Sequence, residues 1–377
     1  MGQTEQTVQP AQQPRRVIGI DLAKRSYQAK MVELQTGKEK TWDGTTDSRG
    51  IEALIRRLQA GDRIGIECCS HAMTLVRIIT ARVEVEMILL NAGQLQVIWN
   101  SIKKTDLVDA AKIALLLQRF HVSELPVVRM PSPEEEEQRS MMSAQLRRRK
   151  LRNMELNRLH SLFVREAITD ITRGNLRNKD NWAESVKRLH GYSAKEAKLI
   201  CATLDILEDN LAEIQADLKQ TLDDNEQASR RLSIPGVGPV AASTFMGYVG
   251  DGSRFASGKQ VSNYAGMTPQ VDASGESIKL GGISKRGCVA LRAILVQAAW
   301  AAVKSGGKER NPLKEKYAEL SARRGKGRAI VAIARRILEL MWAVSTRKER
   351  YRSTSALAWR LKLRRLGIES ELAKSAA

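Results

Sequence analysis

Hydrophobic positions follow two regimes along the chain. Up to about residue 120 they come in short runs. Segment 16–23 (RVIGIDLA) is apolar almost throughout and predicts a buried strand. Positions 26–34 alternate and predict a second strand, and 38–42 predict a third. Ile51, Leu54, Ile55 and Leu58 recur at helical spacing and predict a helix over 48–58. A strand at 63–67 (RIGIE), a helix at 72–81, a strand at 83–90 and a helix at 105–120 follow, the last with Thr105 as its N-cap. That order predicts an α/β domain with a mixed sheet.

Beyond Pro126, Pro131 and Pro133, which mark a linker, the period lengthens. Glu134 to Glu137 suit the first turn of a helix. Two long helices are predicted, one reaching about residue 168 and one from 193 to about 232. The second carries the stripe Ile200, Leu204, Ile206, Leu207, Leu211, Ile214, Leu218. They read as an antiparallel pair or a coiled coil, and the pattern fits an internal pair and a dimer equally. IPGVGPV at 234–240 breaks the helix. Short helices at 241–249 and 259–265, a Gly/Ser-rich loop or hairpin at 267–287, and helices at 288–303 and 329–341 complete the chain. The expected organisation is a disordered leader 1–15, an α/β domain 16–130, a helical stalk 131–231, a mostly helical domain 232–303 with a serine loop, and a basic helical extension 304–377 that frays at its end.

Charge adds a partner to this picture. The 377 residues include 62 Lys and Arg against 42 Asp and Glu, a formal charge of +20. Such an excess points first to nucleic acid and second to a basic surface kept for solubility. It is uneven. Residues 1–130 hold 18 basic and 14 acidic side chains, and segment 323–365 holds 14 basic and 2 acidic. The near-neutral part is expected to be a scaffold, and the basic part to supply most phosphate contacts. Arg147, Arg148 and Arg149 on the first long helix are candidates for them. The apolar run 293–303 is shorter than the ~20 residues that span a bilayer. The Gln-rich first 14 residues carry no signal-peptide core. Four cysteines without a C-x-x-C pair fit a reducing cytoplasm, the expected location.

Four acids in the first domain suggest chemistry. Asp21 ends the first strand after Ile18-Gly19-Ile20, and Glu67 ends a later one after Ile64-Gly65-Ile66. Asp106 and Asp109 share a helix face at i, i+3. Strand ends are where α/β folds place their sites. Four convergent carboxylates need counter-charge, which two Mg²⁺ ions about 4 Å apart supply in phosphodiester chemistry. The order Asp, Glu, Asp-x-x-Asp on this plan is that of ribonuclease-H-like nucleases such as Holliday-junction resolvases. Singly, each acid is also explained as a solvated strand end or a helix-start acid. Lys103 and Lys104 are candidate phosphate contacts or plain surface. His71 is a candidate substrate contact or a helix-capping residue.

The turn at 232–242 resembles a helix–hairpin–helix. Gly236 and Gly238 would let backbone N–H groups approach a DNA phosphate, or they form a tight turn between packed helices. Nucleotide-cofactor motifs fail: Ser253 and Gln260 stand where a P-loop needs Gly and Ser/Thr. In the loop 266–287, Ser274 precedes Gly275 and Ser284 precedes Lys285-Arg286. Either serine is a plain loop hydroxyl or a candidate nucleophile. A nucleophile needs charge neutralisation, for which Lys279, Lys285, Arg286 and Arg292 are at hand, and a base or metal, for which only the acids of the first domain offer themselves.

Together GIDLAK, GIE, KKTDLVDAAKIA, IPGVGPVAA and YAGMTPQ…SGE…KLGGISKRGCVALRAIL resemble the transposases of one bacterial insertion-sequence family, the one-ten and eleven-eleven class of bridge-RNA-guided recombinases. The resemblance covers about residues 16–303. It implies a resolvase-like domain whose metal set falls on Asp21, Glu67, Asp106 and Asp109. It implies a coiled coil that assembles a dimer or tetramer. It also implies a transposase-domain serine, by motif Ser274, that joins DNA covalently in a composite site across subunits. The family loop often reads Ser-Gly-Gly, and Glu276 departs from it, so Ser284 stays a lesser candidate. Implied partners are target and donor DNA and a structured non-coding RNA. A metal-dependent junction nuclease using water, and a non-catalytic nucleic-acid-binding protein, are the alternatives.

Overall fold

Arg16–Leu22 (β1) is buried through its first five residues because both of its faces are covered. It pairs antiparallel with Ser26–Glu33 (β2), which pairs with Glu39–Thr45 (β3). After Ser48–Ile55 (α1), Arg63–Glu67 (β4) returns parallel to β1. After Ala72–Thr80 (α2), Glu86–Leu90 (β5) lies parallel to β4. The sheet order is β3-β2-β1-β4-β5, a mixed sheet as the hydrophobic pattern predicts. Ala92–Ile98 (α3), which the pattern did not predict, precedes Asp106–Arg119 (α4).

The computed structural model describes residues 14–69, 71–98, 106–223, 225–274, 277–305 and 310–368; for 96–98, 106–108, 271–274 and 277–280 it describes the backbone alone. Lys103, Lys104, Gly275, Glu276, the first thirteen residues of the expected leader and the expected frayed end 369–377 lie outside the described residues. The chain divides into two compact units, Met1–Pro131 and Ser132–Ala377. Among the described residues no helix is long and apolar enough to cross a membrane.

Alternation splits the sheet of the first unit into two faces. Ile18, Ile20, Ile64 and Ile66 pack with Leu54 and Ile79 from α1 and α2. Val17, Ile88 and Leu90 pack with Ile113, Leu116 and Leu117 from α4. At the strand entrance Arg16 donates from Nε to Asp62 Oδ1 at 2.7 Å and from a terminal nitrogen to Oδ2 at 2.5 Å. This buried pair is absent from any hydropathy pattern.

The second unit begins at Pro133–Arg165 (α5). Ser132 caps it in a reciprocal pair with Glu135, and Glu134 to Glu136 fill the first turn. Trp182–Val186 (α6) leads to Gly191–Asp223 (α7). α5 and α7 each have 33 residues, about 50 Å at 1.5 Å per residue. They pack antiparallel within one chain. Arg148 donates to Asn210, Arg152 pairs with Glu208 and Arg158 with Glu196, and Leu156, Leu159 and Phe163 pack with Ala197, Ile200 and Leu204. Ile206, expected in the stripe, is exposed.

Glu226–Arg231 (α8), Pro239–Val249 (α9), Gly258–Tyr264 (α10), the antiparallel hairpin of Pro269–Ser274 (β6) and Ser277–Ile283 (β7), and Val289–Lys304 (α11) follow. Pro312–Arg324 (α12), Lys326–Arg347 (α13) and Ala356–Leu366 (α14) close the chain. The boundary expected at 303/304 has no counterpart in the packing. Phe245 and Leu295 share one core with Ile333, Ile337, Met341 and Trp359. Lys362 on α14 donates to the carbonyls of Leu232, Ile234 and Val237 at 2.6, 3.2 and 2.8 Å. Three acceptors match three ammonium protons, while burial pushes the group down to about 8. The basic tail therefore holds the glycine turn from beneath.

Candidate functional site

The pairing of β1 with β4 fixes where the acids stand. Gly19 lies opposite Gly65, and Ile20 opposite Ile66. Asp21 and Glu67 come next, at the carboxyl ends of neighbouring central strands about 4.8 Å apart. Two residues beyond the glycines, they share the glycine face. That face is covered by α4. A Cβ on Gly19 would lie 2.2 Å from Ala110 O, and one on Gly65 would lie 2.8 Å from Ile113 Cγ2. The repeated Gly-x-acid pattern thus has a cause: glycine lets the helix sit against the strands, and the acid follows on the same face.

Asp109 directly precedes Ala110, the residue seated over Gly19. It is half-buried and accepts from Lys112 Nζ at 3.0 Å. Asp106 opens α4 one turn earlier, and its side chain lies outside the description. Among the described residues no three acid, histidine or cysteine side chains form a metal-holding group. The structure therefore sets Asp21 and Glu67 side by side and aims the start of α4 by the Gly19 contact. All four expected donors are carboxylates, a chemistry that suits a hard cation such as Mg²⁺. His71 is exposed and directly precedes α2, without a side-chain capping bond.

In the second unit the two glycines of the turn have different surroundings. Gly236 has φ +79°, and a Cβ there would meet Ala298 O at 2.1 Å and Ala302 N at 2.6 Å. Its missing side chain makes room for α11, as in a tight turn between packed helices. Gly238, the N-cap of α9, has nothing within 4 Å of a Cβ and leaves the helix start open.

The serine loop is the β6–β7 hairpin. Its last backbone pair is Ser274 with Ser277, so Ser274 stands at the tip. Ser284 stands at the foot, where its N–H donates to Thr268 O at 2.8 Å. Lys285, with φ +55°, and Arg286 follow it, and Arg292 on α11 donates to Ala265 O at 2.9 Å. Six residue steps separate Thr268 at the foot from Ser274 at the tip, about 20 Å. Within one hairpin these cations are beyond a phosphate attacked at Ser274, and they neighbour Ser284 instead. On α5, Arg147 is exposed, Arg148 is engaged with Asn210, and Arg149 is half-buried with its pKa lowered by burial and by nearby Arg152.

The turn, α9, α10, the hairpin, α11 and the start of α12 form one continuous stretch, and the family comparison falls on it. Residues 228–317 match the Transposase IS116/IS110/IS902 family. The transposase match therefore includes Ser274, Ser284 and the cations at the hairpin foot. The chain is 36% identical over 159 residues to the transposase for insertion sequence element IS1111A of Coxiella burnetii, covering 41% of this chain and 43% of that protein. It is 29% identical over 149 residues to a probable family 20 transposase of Pseudomonas aeruginosa, covering 40% and 44%. A longer match, 29% over 251 residues, is to the pilin gene-inverting protein of Moraxella bovis, covering 64% and 66%. The chain spans under half the length of the first two transposases.

Sequence reasoning did not single out Gly19 and Gly65 as helix seats, although GID and GIE show the repeat. It also missed Arg254, whose guanidinium lies 4.4 Å from the Phe255 ring centroid and 4.8 Å from that of Tyr264. Neither ring is close to Arg254 by helical or strand period, so no simple signal marks it.

Proposed function

We propose that this chain is a DNA transposase or recombinase that breaks and rejoins phosphodiesters. The observation that carries this is the transposase-family match over 228–317, which contains the serine hairpin. The strand order β3-β2-β1-β4-β5, with Asp21 one residue before the end of β1 and Glu67 ending β4, supports a ribonuclease-H-like N-terminal unit. Asp21, Glu67, Asp106 and Asp109 are its proposed Mg²⁺ ligands. Bound there, the ions would polarise a phosphate and stabilise a leaving oxygen. Ser274 Oγ is the proposed nucleophile. Its attack forms an O–P ester and breaks the bond from phosphorus to a deoxyribose oxygen, which takes up the proton. Attack on that ester by a DNA hydroxyl restores a phosphodiester and frees the serine. One ester replaces another, so the exchange needs no ATP, in keeping with the failed nucleotide motifs.

A structured guide RNA is the second proposed partner, supported by the +20 charge. The test is the chain with Mg²⁺, guide RNA and cognate DNA, run on a denaturing gel. A protein–DNA adduct is expected, lost in Ser274→Ala and kept in Ser284→Ala. Cleavage without adduct that survives Ser274→Ala but is lost in Asp21→Ala would favour a water-using nuclease, whose acids would sit alike. Binding without cleavage or adduct would leave a nucleic-acid-binding protein.

Homo-oligomerisation is proposed through the helical pair. Tyr192, Leu199 and Ile206 recur every seven residues on α7 and are 74%, 67% and 63% exposed, on a face beside the stripe buried against α5. The double change Leu199→Glu, Ile206→Glu should convert the oligomer to monomer in light scattering with little change in melting temperature. An unchanged mass would remove this seam from the assembly.

A further inference from the structure

We propose that Arg254 is a fixed phosphate-binding group that, with Lys285, Arg286 and Arg292, seats a DNA strand at the foot of the β6–β7 hairpin; this rests on the reading of the chain as DNA-acting. An exposed arginine is ordinarily a loose side chain. Arg254 is exposed yet held on three sides. Its guanidinium lies over both Phe255 and Tyr264, whose rings are 5.4 Å apart and tilted by 54°. One terminal nitrogen donates to Tyr248 O at 2.7 Å. The cation is thereby fixed in place, and its remaining N–H groups keep the planar fork that pairs with phosphate oxygens. Cation–π contact holds the guanidinium without neutralising it.

The position follows from the glycines beside it. A Cβ on Gly266 would meet Arg286 O at 2.3 Å, and one on Gly287 would meet Tyr264 O at 2.2 Å. The end of α10 and the end of the hairpin therefore lie backbone against backbone. The backbone carbonyl of Tyr264, whose ring walls Arg254, lies against Gly287 just beyond the hairpin, and Arg292 is tied to Ala265 O. Among the described residues no carboxylate pairs with Arg254, Lys285, Arg286 or Arg292, whereas many other cations of this unit are ion-paired. Four cations without a carboxylate partner among the described residues, gathered beside the hairpin foot, fit a run of phosphates. Lying about 20 Å from Ser274 along the hairpin, they suit DNA that flanks the attacked bond.

The test is anisotropy of labelled duplex DNA, and of a duplex RNA of matched length, with the full chain over a salt series. Arg254→Gln should weaken DNA binding about five- to tenfold near 100 mM salt. It should also reduce the slope of log affinity against log salt by about 1. Arg254→Lys keeps the charge but not the fork and should still weaken binding at least about threefold. Tyr264→Leu keeps the charge but not the wall and should do the same, with melting checked for each variant. DNA affinity and slope unchanged in Arg254→Gln would overturn the proposal, as would full binding in Arg254→Lys or a loss confined to RNA. A wild-type chain that binds no DNA would instead sink the parent reading.

Discussion

Asp21→Asn is expected to abolish strand cleavage, by about a thousandfold or more, while leaving DNA binding within about threefold. The side chain keeps its size and one acceptor oxygen but loses its charge. Asp21 stands beside Glu67 at the ends of paired strands, where the proposed ions would need anionic donors. A thousandfold loss corresponds to about 4 kcal/mol of transition-state stabilisation. Most of the proposed phosphate contacts are cations of the other unit, so removing one negative charge here should not weaken binding. Cleavage and adduct on denaturing gels, measured beside anisotropy, separate the two effects. An Asp21→Asn chain that still cleaves would remove the carboxylates from the chemistry.

The second large effect is structural. Gly19→Ala places a methyl carbon 2.2 Å from Ala110 O and 2.5 Å from Ala114 N, both backbone atoms of α4. Neither can turn aside, so the helix must move off the sheet. Overpacking of this kind costs about 3 kcal/mol or more. The transition of the N-terminal unit should fall by about 10 °C or more in calorimetry of the full chain. Gly65→Ala is the informative comparison. Its methyl meets Ile113 Cγ2 at 2.8 Å and Leu117 Cδ1 at 2.9 Å, side-chain ends that can rotate, so its loss should be clearly smaller. Equal, slight losses for the two would mean that α4 is not seated on Gly19. Because α4 carries Asp106 and Asp109, cleavage should fall in Gly19→Ala even at temperatures where the chain stays folded.

Much of this molecule was legible from residue order alone. Alternation and apolar runs determine β1 to β5, α1, α2 and α4, because each element buries a face whose period is written in its own sequence. The two long helices follow from the stripe of α7 and the acids of α5. The strand-end acids and the serine loop were visible as well, since residue type and local spacing define them. α3, α12 and α14 were not visible, being short or too charged to show a clear stripe. Tertiary structure alone decided the rest. It made Gly236 a seat for α11 and drew the basic tail into the core of the second unit. It placed Lys362 under the turn, 125 residues or more from its acceptors. It also closed α5 on α7 within one chain and set Arg254 between two rings beside the hairpin foot. These features depend on which distant backbones approach and how closely. Contacts between segments far apart in the chain leave no period in either one, so only the folded chain reveals them.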